Sequence, residues 1–358
     1  MSGDVQIGIQ AEKQQDHTCP FFVQLLNHGD PSTPNDYPLH PIFPASYRTT
    51  SENLAAPTED IAACVQKELD LRRLQIIITR LWIVGRPTPP RSLHHQLLLS
   101  RDIFITEQID MHLVWTSGRI FIKPVPRFLL VPRFWIDHLS CLPCCTCTRS
   151  PRRASSAGNT LLNDGLCDRR RLWRSALGFL FSYTALVSHE SDFAIAQEKK
   201  LIPTEVSWAD WTSLVKQVLA TDHLYQKIDA RFIYGELRLS RLNKIYRFTR
   251  SSFLHGYMSQ WNRYGDFFQN NLAWLAAATV YIALVLTAMQ VGLATDALAE
   301  NKAFQSASYG FTAFSILGPL IAFSLIILTF CYMFINNWIS TLAYQKKRFN
   351  DIQRAQGV

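Results

Sequence analysis

Two long uncharged runs constrain this chain more than any other feature. Leu272–Ala294 is 23 residues without Asp, Glu, Lys or Arg, and Phe311–Ile335 is a further 25. A helix rises about 1.5 Å per residue, so about 20 apolar residues cross a hydrocarbon core about 30 Å thick. The remainder is not unusually apolar: the 358 residues are 18% charged and the mean hydropathy is +0.01. One such run can be the core helix of a soluble protein. Two in succession, joined by the short polar stretch TDALAENKAFQSASYG at 295–310, predict a transmembrane helical hairpin.

Lys and Arg near the helix ends set orientation. The connecting stretch carries only Lys302, against Asp296 and Glu300. Lys346, Lys347, Arg348 and Arg354 follow the second run, and Arg263, Arg250, Arg247 and Lys244 precede the first. The expected protein is therefore a two-pass membrane protein with both termini cytosolic. Intramembrane charge usually marks an ion or proton path, and neither run has any. Small residues recur at helical spacing: Ala273, Ala277, Ala288 and Gly292 on one face of the first run, Ser315, Gly318, Ala322 and Thr329 on one face of the second. Small residues let membrane helices approach closely, so these faces are expected to pack the hairpin, with a dimerisation face as the alternative. Pro319 is expected to kink the second helix.

The opening residues MSGDVQIGIQAEKQQD lack the apolar core of a secretory signal. The eight cysteines then read as reduced thiols rather than a disulfide framework. Residues 1–57 hold seven of the 17 prolines and no sustained period, which reads as a Pro-rich disordered arm. Segment 58–137 reads as α+β. A helix is expected from Thr58, as cap, to Gly85, then strands at Ile103–Thr106, Met111–Trp115 and Arg119–Lys123, the last two joined around Ser117-Gly118. Segment 138–170 is a flexible Cys-, Arg- and Ser-rich insertion. Segment 171–270 is helical, 271–336 holds the two spans (272–294 and 311–335), and 337–358 is a basic cytosolic tail. Leu172–Val187 is apolar, but Arg174 and Glu190 bracket only 15 residues, so a buried core helix is expected rather than a third span. Ser207 and Asp210 form a capping-box pattern. The expected fold class is an α+β cytosolic domain followed by a C-terminal transmembrane α-helical hairpin.

The net charge of +8 favours anionic partners. Lys227–Arg250 concentrates it, with seven Lys/Arg against two acids. Read as one helix, it places Lys227, Arg231, Arg238 and Arg241 on one face and Ile228, Phe232, Leu239 and Leu242 on the next. With Lys244 and Arg247, these residues are expected to meet the bilayer's anionic headgroups, at about 1 kcal/mol per basic residue. No recognition motif accompanies the charge, so nucleic acid is not an expected partner.

Local motifs for chemistry are sparse. Cys141, Cys144, Cys145 and Cys147 crowd four thiols into seven residues, unlike the spaced pairs of a zinc site. His189–Phe193, HESDF, has Phe193 where a metalloprotease helix needs its second His. His94, His95 and His112 lack partners in the local sequence. There is no G-x-S-x-G, no P-loop and no G-x-G-x-x-G. No catalytic, metal or cofactor residue is therefore nominated, and no cofactor is expected.

The stretches LWIVGRPTPPRSLHHQLLLSRDIFITEQIDMHLVWTSGRIFIKPVPRFLL, YGELRLSRLNKIYR and NRYGDFFQNNLAWLAAATVYIALVLTAMQVGLATD resemble an uncharacterised family of fungal two-helix integral membrane proteins. The resemblance covers residues 60–137 and 170–345; the cysteine insertion departs from the family pattern. Members are sometimes labelled subtilisin-like serine proteases. Such enzymes need an H-G-T and a G-T-S-M stretch, but here His28-Gly29 precedes Asp30, His255-Gly256 precedes Tyr257, and G-T-S does not occur. The resemblance implies no activity. The expected function is a membrane-anchored cytosolic interaction domain with a protein partner or a homo-oligomer. The alternatives are a membrane-bound enzyme acting on a lipid or lipid-linked substrate, and a subunit of an oligomeric pore.

Overall fold

The structure, a computed structural model, describes residues 19–26, 42–141, 167–250, 257 and 264–355. The chain separates into two compact units, 1–257 and 258–358.

The first unit is mixed α/β. A two-stranded ribbon, β1 (Tyr47–Arg48) and β2 (Leu54–Ala55), precedes α1 (Ile61–Glu68). Asp60, not Thr58, caps α1: its carboxylate accepts from the Ala63 N–H at 2.9 Å. The single helix expected up to Gly85 is instead broken into α1, α2 (Arg72–Gln75), a 3-10 turn at Ile78–Arg80, and α3 (Leu81–Val84). Two local causes interrupt it. The Asp70 carboxylate takes the Arg72 N–H at 2.9 Å, an Asx turn that competes with the helix. Ile76, Ile77, Ile78 and Thr79 then form a β-branched run that packs poorly against a preceding turn.

After α4 (Leu93–Leu98) come β3 (Asp102–Ile105), β4 (Val114–Thr116) and β5 (Arg119–Ile122). Met111 to Leu113 stays outside β4, because Ile109–Met111 forms a 3-10 turn and Leu113 is left-handed at φ 61. Gly118, at φ +73, makes the turn from β4 to β5. A short helix α5 (Pro132–Phe134) runs into a π-helical turn at Trp135–Leu139. Then follow α6 (Asp168–Leu186), α7 (Glu190–Glu198), α8 (Trp208–Leu219), α9 (Leu224–Lys227), a 3-10 turn at Ala230–Ile233, β6 (Leu237–Arg238) and α10 (Leu239–Arg250). The sheet order is β3-β5-β4-β6; β5 runs parallel to β3 and antiparallel to β4, and β6 runs parallel to β4.

Helix α6 is the centre of the core, with Trp173, Leu177, Phe179, Leu180 and Tyr183 all buried. Ser207 caps α8 by accepting from the Asp210 N–H at 3.1 Å. Part of the arm read as disordered also joins the core. Phe21, Leu25, Leu26 and Ile42 are buried, and Phe21 packs edge-on against Trp135 at 6.1 Å. Phe21, Leu25 and Leu26 lie in the short apolar run FFVQLL at 21–26, too brief to establish a period, and tertiary contact reveals its role. Residues 1–18, 27–41 and 142–166, including Cys144, Cys145 and Cys147, lie outside the described residues.

The second unit holds α11 (Tyr264–Leu293), α12 (Asp296–Ala299) and α13 (Lys302–Ala355). Leu272–Leu293 and Lys302–Asn350 are long and apolar enough to cross a membrane. Pro319 lies inside α13, and the helix continues well beyond Ile335.

The small residues expected to share one packing face of α11 divide between exposed and half-buried positions. Ala273, Ala277 and Ala288 are exposed, and the half-buried positions are Leu275, Ala278, Thr279, Ile282, Val285, Leu286, Met289 and Gly292. They repeat every seven residues, at 275/278/279, 282/285/286 and 289/292, the stripe of a left-handed helix pair, and branched side chains occupy part of it. On α13, Ser315, Gly318 and Ala322 are half-buried. Gly292 is a close approach: a Cβ there would stand 2.8 Å from the Phe304 ring.

Candidate functional site

The structure breaks the basic stretch that the sequence presents as one helix, and sorts its cations into two groups. Asp229 starts the break. Its carboxylate accepts the Arg231 N–H at 2.9 Å, while its own N–H donates to the Arg174 carbonyl at 3.1 Å. Arg231 then turns inward, only 1% exposed, and donates to the His112 carbonyl at 2.7 Å and to the Tyr234 carbonyl at 2.5 Å. Burial is the main influence on its guanidinium and lowers its pKa to about 10. Arg231 is a core residue, not a surface cation. Lys227 ends α9 and is half-buried. Arg238, Arg241 and Lys244 are exposed and Arg247 is half-buried.

Arg238 and Arg241 belong to a cleft of about 730 Å³. Its wall runs along Trp82, Gly85, Arg86, Thr88 and Pro89, and its opposite side brings in Arg91, Arg101, Trp115 and Glu236. Two connections hold the walls together. Gly85 bridges to Leu237, the first residue of β6. A Cβ on Gly85 would stand 2.6 Å from the Glu236 carbonyl oxygen, so the approach requires glycine. The Gly235 N–H donates to the Thr88 carbonyl at 2.9 Å.

Glu236 organises the floor. Its Oε1 accepts from Gln96 Nε2 at 2.8 Å and from Arg91 Nε at 2.9 Å. Its Oε2 pairs with Arg91 Nη2 at 2.6 Å and with Arg101 Nη1 at 2.7 Å. Burial by itself would raise the carboxyl pKa. The bonds from Arg91, Arg101 and Gln96 together outweigh burial and hold it at about 2. The Arg101 guanidinium lies 4.0 Å from the Trp115 ring centroid and that of Arg238 lies 5.2 Å from it.

The lining thus holds five arginines and one glutamate. Glu236 accounts for Arg91 and Arg101. Among the described residues, Arg86, Arg238 and Arg241 form no ion pair; Arg241 donates only to the Ile83 carbonyl at 3.2 Å. Trp82 stands 66% exposed at the rim. Planar guanidinium groups present paired donors that match phosphate and carboxylate oxygens. The donors this cleft presents are therefore of the kind that match an anion, with aromatic surface beside them.

The residues singled out in the sequence meet this site only at Arg238 and Arg241. Trp82, Arg86, Arg91, Arg101, Trp115 and Glu236 were missed, because they lie on α3, the loops after it, β4 and the residues before β6, far apart along the chain. The remaining sequence candidates fall elsewhere. His112 is buried between Phe179 and Tyr183; its Nδ1 accepts from the Lys123 N–H at 3.1 Å and its Nε2 meets Ser182 Oγ at 2.9 Å. Burial, with the Arg231 and Lys123 cations adding to it, holds its pKa well below the usual imidazole value. Cys141 and Cys167 bring their sulfurs to 3.5 Å. His94 does find partners, His189 and Asp192.

The molecule is thus a mixed α/β domain with a basic cleft, followed by two long apolar helices of membrane-crossing length. The chain belongs to the family described as "Family of unknown function (DUF6601)", which matches residues 61–319 and so includes the whole cleft, the first long apolar helix and the start of the second. No curated protein and no solved structure matches the chain.

Proposed function

We propose that this is a two-span membrane protein, with both termini cytosolic, whose α/β domain binds phosphate-bearing anionic lipid headgroups in the arginine–tryptophan cleft. The observation that carries the reading is the set of three arginines, Arg86, Arg238 and Arg241, that open onto the cleft without a carboxylate partner among the described residues.

Further features support it. The two apolar helices expose Val280, Leu284, Ile316, Leu320 and Leu328, large apolar side chains that suit lipid and not water. On α10, Arg241, Lys244 and Phe248 share one exposed face at i, i+3 and i+7, with Phe248 74% exposed. Together with Trp82, this puts aromatic side chains beside the cations, the composition of a surface that dips into a headgroup layer.

The test uses the full chain in neutral detergent, titrated with a soluble glycerophosphoinositol phosphate and with glycerophosphocholine as control. The parent binds the first and not the second. Arg86→Gln, Arg238→Gln and Arg241→Gln together remove about 3 kcal/mol, on the order of a hundredfold in affinity, and the loss shrinks as salt rises. Equal affinity in parent and triple variant would overturn the reading. Binding of an acidic peptide but of neither headgroup would make the cleft a protein site instead.

A further inference from the structure

A second cluster lies where α4 meets α7. His94 is the second residue of α4, and His189 is the N-cap of α7, with Asp192 three residues on. Asp192 is 0% exposed, yet both imidazoles converge on it. His94 Nδ1 stands 2.8 Å from Asp192 Oδ1, and His189 Nδ1 stands 3.3 Å from Oδ2. One ligand atom from each residue lies within 4.8 Å of the other two. The two imidazole rings meet edge to face at 5.4 Å.

A capping box explains part of this. The His189 N–H donates to Asp192 Oδ2 at 3.1 Å, as a helix start requires. Capping does not explain why a second imidazole, from an element 98 residues earlier, is brought to the same buried carboxylate. The His94 N–H also donates to Oδ1, at 2.8 Å. Both carboxylate oxygens are thus oriented by backbone donors and face two imidazoles, the supporting arrangement typical of a metal-ligating carboxylate.

We infer that His94, His189 and Asp192 form a binding site for a divalent first-row cation of the zinc type. Two imidazoles and one carboxylate are a borderline donor set suited to such an ion. A tetrahedral ion about 2.0–2.2 Å from each donor holds neighbouring donors roughly 3.3 Å apart. His94 Nδ1 stands 2.8 Å from Oδ1 and His189 Nδ1 stands 3.3 Å from Oδ2, so the carboxylate offers one oxygen to each ring near that spacing, with all three ligand atoms within 4.8 Å of one another. Each ring would ligate through Nδ1 and carry its hydrogen on Nε2, so a neutral histidine changes tautomer without releasing a proton. The His94 and His189 side chains are 40% and 68% exposed, so the ion has an entry path and water can complete its coordination. The ion would tie α4 to α7. Gln96, on the same short helix, reaches Glu236 on the floor of the cleft, so the tie also braces that wall.

The test takes the full chain in detergent, purified through a tag without histidine, stripped with chelator and given Zn²⁺ alone. The key variants are His94→Asn and His189→Asn. Asparagine keeps a side-chain N–H donor toward Asp192 and is a good N-cap, but is a poor zinc ligand. The parent should take up one equivalent of zinc that the double variant does not, and each single variant should bind at least about tenfold more weakly. Zinc should raise the thermal midpoint of the parent and not that of the double variant, whose far-ultraviolet circular dichroism should match the parent. Equal uptake by parent and double variant would overturn the inference, since the zinc would then sit elsewhere. No uptake by the parent would overturn it too. If the double variant fails to fold, the single variants decide the matter on the same criterion.

Discussion

The guanidinium of Arg101 lies 4.0 Å from the centroid of the Trp115 indole. Its Nη1 also donates to Glu236 Oε2 and to Gln96 Oε1, at 2.7 Å and 2.8 Å. Arg101 is therefore occupied, and so is Arg91, while Arg238 approaches the same indole without an acidic partner among the described residues. The cleft separates cations that build its floor from cations that are open to a ligand. Substitutions should fall into the same two groups.

Glu236→Gln tests the floor. The carboxyl pKa, held near 2 against an ordinary 4.5, corresponds to on the order of 3 kcal/mol of stability at neutral pH. Because the folded pKa is depressed, that contribution is present above about pH 4.5 and is lost as pH falls toward about 2. Thermal unfolding of the full chain should show the variant well below the parent at pH 7 and converging on it near pH 2. The variant's cleft should not lose affinity for anions, since Arg91 and Arg101 lose their counter-charge. A parallel loss of anion binding would mean that Glu236 shapes the site more than it neutralises it.

Arg231→Gln and Arg241→Gln should separate core from surface. Removing Arg231 leaves the His112 and Tyr234 carbonyls short of a buried donor, at about 1–3 kcal/mol each. Removing Arg241 costs stability within about 0.5 kcal/mol. Denaturation midpoints rank the two. If Arg241→Gln destabilised as much as Arg231→Gln, the assignment of Arg241 to the ligand-facing group would fail.

His112 gives a pH signature. Its imidazole stays neutral in the folded state, with burial as the main cause, so below about pH 6.5 the unfolded chain binds a proton that the folded chain does not. Stability then falls with decreasing pH at up to about 1.4 kcal/mol per unit. His112→Asn retains an acceptor for the Lys123 N–H and should flatten the slope as pH falls from 7.5 to 5, by a difference that grows to about one proton at the acid end. An unchanged slope would place the titrating group elsewhere.

Topology is tested separately. Glycosylation acceptors with a spacer, placed in residues 295–310, should be modified, and the same tags at either terminus should not. Modification of a terminal tag would reverse the cytosolic assignment of the α/β domain.

The apolar runs were legible in the sequence because membrane-crossing length depends on local composition alone. The strands around Gly118 and the α8 cap at Ser207 were legible for the same reason, since alternation, turn residues and caps act over a few positions. The cleft was not legible. Trp82, Arg101, Trp115 and Glu236 meet through the Gly85–Leu237 bridge, the Gly235–Thr88 bond and the β4–β6 pairing, contacts between distant segments that leave no local period. The same limit explains Arg231 and His94. A helical wheel assigns Arg231 to a face with Arg238 and Arg241, but Asp229 breaks the helix and two backbone carbonyls pull the guanidinium inside. The local sequence brings only the Ser92 hydroxyl to His94, at 3.1 Å, and His189 and Asp192 join it when α4 packs on α7. The sequence by itself determined where apolar surface accumulates and where charge is plentiful. Tertiary structure decided which charges are neutralised, because ion pairs and buried hydrogen bonds depend on distances between segments that only folding sets.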